Sequence, residues 1–240
     1  MKFDTIIMAG GLGKRMNSTL PKVLHKINGL PMLVKIINQV KQINEHNNIY
    51  IIVGKYKPII KITLEEYGVY EGIDIEFILQ EEALGTGHAI MCAKEYLSDK
   101  PILILSGDIP LITSSTIQNM LNNYNNVGTI MTTELDEPYG NGRIIRYDGY
   151  FSIVEEKDAD IEQKKIKEVN CGIYVFNSQL LKNNIIKLTN NNAQKEFYLT
   201  DIVKFIPCNI YKLPIQQQYE LTNVNTKETL DKLNIILQSE

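Results

Sequence analysis

With 240 residues, 44% of them hydrophobic, the chain is long enough to bury a core of its own. Its 25 basic residues face 28 acidic ones, a formal net charge of -3, which argues against a surface built broadly for nucleic acid or anionic membranes. The three cysteines, Cys92, Cys171 and Cys208, are far apart, fit no metal spacing and are expected to be free thiols. No apolar run is long enough to cross a bilayer, and the N-terminus is too charged and too briefly apolar for a signal peptide, so a cytoplasmic protein is expected.

The first segment, FDTIIM (residues 3–8), is short and β-branched and predicts a strand. A glycine-rich stretch follows, and then Leu33, Ile36, Ile37, Val40 and Ile43 at helical spacing behind Pro31 in a first turn. IYIIVG (49–54) suits a buried parallel strand, KPIIKITLEEYG (57–68) a helix closed by Gly68, and IDIEFILQ (73–80) a strand. TGHAIMCAKEYL (86–97) reads as a helix, PILILSGD (101–108) as a buried strand, and TSSTIQNMLNNY (113–124) as a helix with its start residues in place. This alternation predicts a doubly wound, mostly parallel α/β sheet. After about residue 127 the chain turns strand-rich, with a hairpin turn at Asp148-Gly149; QKEFYLTDIVKFI (194–206) and TKETLDKLNIILQ (226–238) read as helices. No linker divides the halves, so one domain carrying a β-rich lobe is expected.

The stretch GGLGKRMNSTLPK (10–22) offers bare backbone beside Arg15 and Lys22. It is not a P-loop: Gly13-Lys14 is followed by Arg15, and the position of the leading glycine holds Met8. Nor is it a dinucleotide fingerprint, because the third glycine is replaced by Met16 and the second strand ends in Gly and Lys, not in an acid. Phosphate recognition remains: amides approach oxygens, Arg15 takes two at once, and Lys22 serves as a point charge. Asp108, past the end of a buried strand between Gly107 and Pro110, faces the same crevice and needs a partner, for which a magnesium ion on polyphosphate is the natural choice. Gln80 ends a strand just before Gly85-Thr86-Gly87 opens a helix; its amide can both donate to and accept from a base edge.

These segments, with YGNGRIIR, IVEEKDA, EVNCGIYVF, NAQKEFYLTDIV and NVN, occur in the order found in UDP-N-acetylglucosamine pyrophosphorylases, the uridylyltransferase domains of the bacterial bifunctional enzyme. The resemblance runs from about Thr5 to Asn225. It implies a Rossmann-like nucleotidyltransferase with a nucleotide-binding part over about 1–110, a sugar-binding part over about 111–225 and a C-terminal helix over 226–240. It implies that Ala9, Gly10, Gly11, Gln80, Gly85 and Thr86 contact the nucleotide, Arg15 and Lys22 act on the phosphates, and Asp108 and Asn225 hold Mg2+. Gly142, Glu155, Asn170, Tyr198 and Thr200 would bind the sugar.

The implied reaction joins UTP to N-acetylglucosamine-1-phosphate in a monomer or weak homo-oligomer, with no nucleic acid or membrane partner. The alternatives are glucose-1-phosphate with UTP or dTTP, and a non-catalytic sugar-nucleotide sensor. Three departures stand out. Lys14 replaces the family's threonine, Ser106 stands where the family often has tyrosine, and the sequence stops at Glu240 without the β-helix acetyltransferase domain, so no acetylation is expected. His25 and His88 are expected to be structural hydrogen-bonders.

Overall fold

In a computed structural model, residues 1–11 and 13–238 are described, the side chains of Lys14 and Gln238 excepted. The apolar runs become strands with a period of two. Phe3 and Ile7 of β1 (Phe3–Met8) face one side of the sheet and Ile6 the other. A two-residue ribbon, β2 (Lys26–Ile27) and β3 (Leu30–Pro31), turns at Asn28-Gly29 and leads into α1 (Met32–Lys41). Then come β4 (His46–Val53), α2 (Lys57–Glu66), β5 (Ile75–Leu79), α3 (Thr86–Cys92), β6 (Ile102–Ser106) and α4 (Ser114–Asn122). The strand-rich half supplies β7 (Gly128–Glu134), the hairpin β8 (Arg143–Tyr147) and β9 (Tyr150–Val154), and β10 (Glu168–Phe176). α5 (Ser178–Asn184), β11 (Asn209–Lys212) and α6 (Lys227–Gln238) complete it.

The main sheet runs β11-β7-β10-β6-β1-β4-β5, with β8 on β10 and β9 on β8. β6, β1, β4 and β5 are mutually parallel, while β10 runs against both β6 and β7. Apolar residues of α1, α2 and α4 cover one face and those of α3 and α5 the other, giving a core on each side. This is the expected doubly wound, mostly parallel α/β architecture. Because β4 and β5 extend to one side of β1 and β6 lies on the other, the chain reverses direction at β1 and β6, where such sheets open a crevice beyond their strand ends.

Three expectations change. The helix read over 86–97 ends at Cys92, and a separate 3-10 turn covers Lys94–Tyr96. Residues 194–206 do not form one helix: only Leu199–Lys204 coil, as a 3-10 helix, and Tyr198 precedes it in extended backbone. The segment before it instead hydrogen-bonds to the start of α3, with Phe197 N–H donating to Leu84 C=O (2.8 Å) and Gly87 N–H to Phe197 C=O (2.7 Å). A peptide group committed sideways cannot also close an i to i-4 bond. Pro31 is the residue before α1, not part of its first turn.

A smaller apolar cluster fixes the C-terminal helix. Leu230 and Leu233 of α6 pack with Val224, Ile27, Met32 and Met16, and Asn234 bonds the β2–β3 turn through Asn28 N–H (2.8 Å). Asn225, just before α6, is thereby carried back to the glycine-rich stretch.

Candidate active site

The crevice lies where β1, β4, β5 and β6 end. Beyond the strands the backbone keeps pairing: Ala9 N–H donates to Ile52 C=O (2.8 Å), Gln80 N–H to Val53 C=O (2.8 Å) and Gly107 N–H to Met8 C=O (3.0 Å). The loops that follow are thus held in register, and they enclose a cavity of about 290 Å³. Gly10, Gly11, Lys22, Gln80, Gly85, Thr86 and Asp108 all line it.

On one wall the Lys22 ammonium is 2.6 Å from Asp108 Oδ2 and 3.0 Å from Asn225 Oδ1. Three segments far apart in sequence therefore meet at one cation. The loop after β1 brings Lys22, and Gly13 lets it close. Gly13 has φ +58°, and a Cβ there would fall 2.7 Å from Lys22 Cβ. Asn225 is placed by its neighbour, since Val224 N–H donates to Asp108 C=O (2.8 Å). The Asp108 carboxylate has its second oxygen engaged too, accepting from the Ser106 hydroxyl at 2.6 Å. Asp108 does not cap the next helix; Thr113 does, accepting from Thr116 N–H.

The opposite wall is built from the turn before α3. The Gln80 amide donates to Gly85 C=O (3.1 Å) and lies 3.2 Å from His88 Nδ1. With the amide as donor, Nδ1 is the acceptor and the imidazole is occupied as a hydrogen-bonder, as expected. Gly85 has φ +105°, and a side chain there would meet Phe197 C=O at 2.6 Å. Thr86 Oγ1 accepts from Leu199 N–H (3.0 Å), so its hydroxyl ties residues 196–199 to the cleft and brings Glu196 to its rim.

The residues expected at the sugar form a second cluster around β8 to β10. Asn170 N–H donates to Gly142 C=O (2.8 Å), and the Thr200 hydroxyl donates to Glu155 Oε1 (2.7 Å). A Cβ at Gly142 would lie 3.4 Å from that same Glu155 oxygen. Burial holds the Glu155 carboxyl above the usual carboxylate range against the Thr200 bond, and Asp201, Asp158 and Glu196 push the same way. Asn170 donates its amide to the Tyr174 hydroxyl (2.7 Å), leaving its buried Oδ1 without a partner among the described residues. The Tyr198 phenol is raised by burial and by Asp158 beside it, so it stays protonated.

None of the five residues expected at the sugar is among the cavity's walls, Asn225 reaches it through Lys22, and Ala9 and Arg15 sit apart from both clusters. Ala9 is buried in the core, and its N–H is used by Ile52. Arg15 is exposed in the 3-10 turn Lys14–Met16 and is not among the cavity's walls; the Lys14 side chain lies outside the described residues. Two contributors went unassigned in the sequence. Ser106 stands where the family often has tyrosine, and a hydroxyl two residues before a carboxylate is the visible signal for its role. Glu196 lies inside the NAQKEFYLTD motif, and its exposure to the cleft depends on the Thr86–Leu199 bond, which no sequence pattern announces.

The MobA-like NTP transferase domain model matches residues 5–165. A protein of Acanthamoeba polyphaga mimivirus named "Probable UDP-N-acetylglucosamine pyrophosphorylase" is 42% identical over 98% of this chain and 96% of its own length. The chain belongs to the UDP-N-acetylglucosamine pyrophosphorylase family. The bifunctional protein GlmU of Thermosipho africanus is also 42% identical, over 95% of this chain and 49% of its own; the chain thus spans about half the length of such GlmU relatives. Among solved structures, one described as a glucose-1-phosphate thymidylyltransferase from Bacillus anthracis superposes with TM-score 0.76 at 19% identity, over 99% of this chain and 96% of that one. A UDP-glucose pyrophosphorylase superposes with TM-score 0.75 at 14% identity, over 100% and 99%. At these identities the likeness is one of fold. Among the described residues no helix is long and apolar enough to cross a membrane.

Proposed function

We propose that this chain transfers the uridylyl group of UTP to N-acetylglucosamine-1-phosphate, releasing pyrophosphate. The observation that carries the reading is the meeting of Lys22, Asp108 and Asn225 on one wall of a glycine-walled cleft whose other wall carries Gln80, in a chain 42% identical from end to end to a relative of that name.

The bond that forms joins a phosphate oxygen of the sugar to the α-phosphorus, and the bond that breaks leads from that phosphorus to the bridging oxygen of the leaving pyrophosphate, which departs with the electron pair. The nucleophile is already an anion, so no general base is required. That agrees with a cavity that has no histidine among its described lining residues and with His88 engaged by Gln80. The barrier is one of charge, and cations fixed in advance lower it. Lys22 supplies one, drawn from Asp108 and Asn225 onto the phosphates.

The same two oxygens, an aspartate carboxylate and an asparagine carbonyl, are hard donors that already converge on a cation, the Lys22 ammonium. They fit Mg2+, and among the described residues no third acidic, histidine or cysteine ligand joins them, so phosphate oxygens would complete the shell. Bound there, the metal would neutralise polyphosphate charge.

Gln80 and the backbone at Gly10, Gly11 and Gly85 face the base and ribose side, and Thr86 fixes that wall. The unpartnered Asn170 Oδ1 is suited to accept the acetamido N–H, with Glu155 taking sugar hydroxyls beside Gly142, Tyr198 and Thr200. Pyrophosphate release from UTP and Mg2+ tests the reading. N-acetylglucosamine-1-phosphate is expected to be strongly preferred over glucose-1-phosphate; equal rates would remove the acetamido assignment, and no release with either would remove the enzyme.

A further inference from the structure

Asp108 presents two carboxylate oxygens, and the structure treats them differently. Oδ2 faces the Lys22 ammonium at 2.6 Å, the cation that Asn225 Oδ1 also meets at 3.0 Å. Oδ1 accepts from the Ser106 hydroxyl at 2.6 Å. Ser106 is the last residue of β6, registered against Met8 of β1, so its backbone belongs to the rigid centre of the sheet. Asp108 stands two residues further on, past a glycine, and its carbonyl accepts from Val224 N–H. A carboxylate on such a turn is free to rotate about its last torsion and to swap oxygens. The serine removes that freedom.

We infer that Ser106 is a positioning residue: it pins Oδ1 of Asp108 so that Oδ2 stays aimed at the cation position shared with Asn225. This rests on the reading of Asp108 and Asn225 as ligands for a divalent cation. Groups that orient a ligand from behind commonly govern metal affinity nearly as much as the ligands do. The rival role is visible in the same place. Ser106 also borders β10, where a Cβ on Gly172 would lie 3.8 Å from Ser106 Cβ, so it could instead be a wall of the sugar pocket.

The two roles separate in one set of measurements on the whole chain. Mn2+ is titrated by water-proton relaxation, with and without UTP, into wild type, Ser106→Ala, Ser106→Thr and Asp108→Asn, and KM for the sugar phosphate is measured in parallel. Loss of the hydroxyl in Ser106→Ala is expected to weaken Mn2+ binding about tenfold and leave the sugar KM in place. The threonine variant, which keeps a hydroxyl at the same carbon, is expected to restore Mn2+ affinity, and Asp108→Asn to lose it. Wild-type Mn2+ binding in Ser106→Ala, with loss in Asp108→Asn, would overturn the role of Ser106 alone. A raised sugar KM with unaltered Mn2+ binding would assign Ser106 to the sugar wall instead. Wild-type Mn2+ binding in Asp108→Asn would overturn the metal ligand itself, and the serine's role with it.

Discussion

The two clusters of candidate site residues are built from opposite materials. The cleft is backbone and cation: glycines at 10 and 11 line it, and Lys22, closed upon by Gly13, is held between two oxygens. The cluster beneath β8 to β10 is carboxylate and amide: Glu155 bonded by Thr200, and Asn170 with an acceptor to spare. On the proposed reading, polyphosphate is the same for every sugar substrate, so a wall that reads it would need charge and close approach more than shape. An amino sugar differs from its neighbours by a few hydrogen-bonding groups, and buried acceptors that must be matched are what discriminate between them. Damage to the first region should therefore slow all substrates alike, while damage to the second should change which substrate wins.

The sharpest break is Lys22→Ala. Removing a preorganised charge is expected to lower kcat by roughly 10²–10³-fold with either sugar phosphate. Mn2+ binding without nucleotide should improve in the same variant, because the ammonium no longer competes for Asp108 and Asn225. Wild-type turnover would remove Lys22 from the chemistry. Arg15→Ala is expected to cost less than Lys22→Ala, since Arg15 is exposed and not preorganised on the cleft wall. Gly85→Ala tests the opposite wall through stability. A left-handed φ and a 2.6 Å approach to Phe197 C=O should cost about 3 kcal/mol by denaturant melts.

The difference between the regions also explains what the sequence could tell. Strands over 3–8 and 102–106 are legible because a sheet buried on both faces favours near-continuous apolar runs, and the cleft loop is legible because glycines directly after a first strand mark a turn at the sheet's crevice. The 194–206 segment is not. Its apolar spacing mimics a helix, but its backbone is spent on the α3 turn, a contact across more than a hundred residues. The β2–β3 ribbon was missed although Asn28-Gly29 is a strong hairpin dipeptide, because its strands are only two residues long. The Lys22–Asn225 contact depends on α6 docking against Met16 and Ile27, a tertiary fact.

Glu155→Gln should break selectivity. Loss of a charged acceptor is expected to lower kcat/KM for N-acetylglucosamine-1-phosphate by about tenfold to a hundredfold, and less for glucose-1-phosphate. Stability should move the other way. Because burial raises the folded carboxyl above its ordinary 4.5, the folded state holds the proton more tightly, and wild-type stability falls as pH climbs from about 4.5 through the raised value. The glutamine variant should therefore melt higher than wild type at pH 8, with the gap closing toward pH 4.5. A gap independent of pH would mean that the carboxyl is not strained by burial.

Thr200→Val is the smallest expected effect. It deletes one hydroxyl that donates to Glu155 Oε1 at 2.7 Å and changes little in volume. A single neutral donor supports a rise in the sugar-phosphate KM of about threefold to tenfold, with kcat nearly unchanged. The informative readout is the pH profile. The Thr200 bond favours the ionised carboxylate, so without it the Glu155 carboxyl rises further, and the acid limb of kcat/KM should shift to higher pH. An acid limb that stays where it is in wild type, beside a raised KM, would mean that the sugar is held by the threonine itself and not through the charge on Glu155.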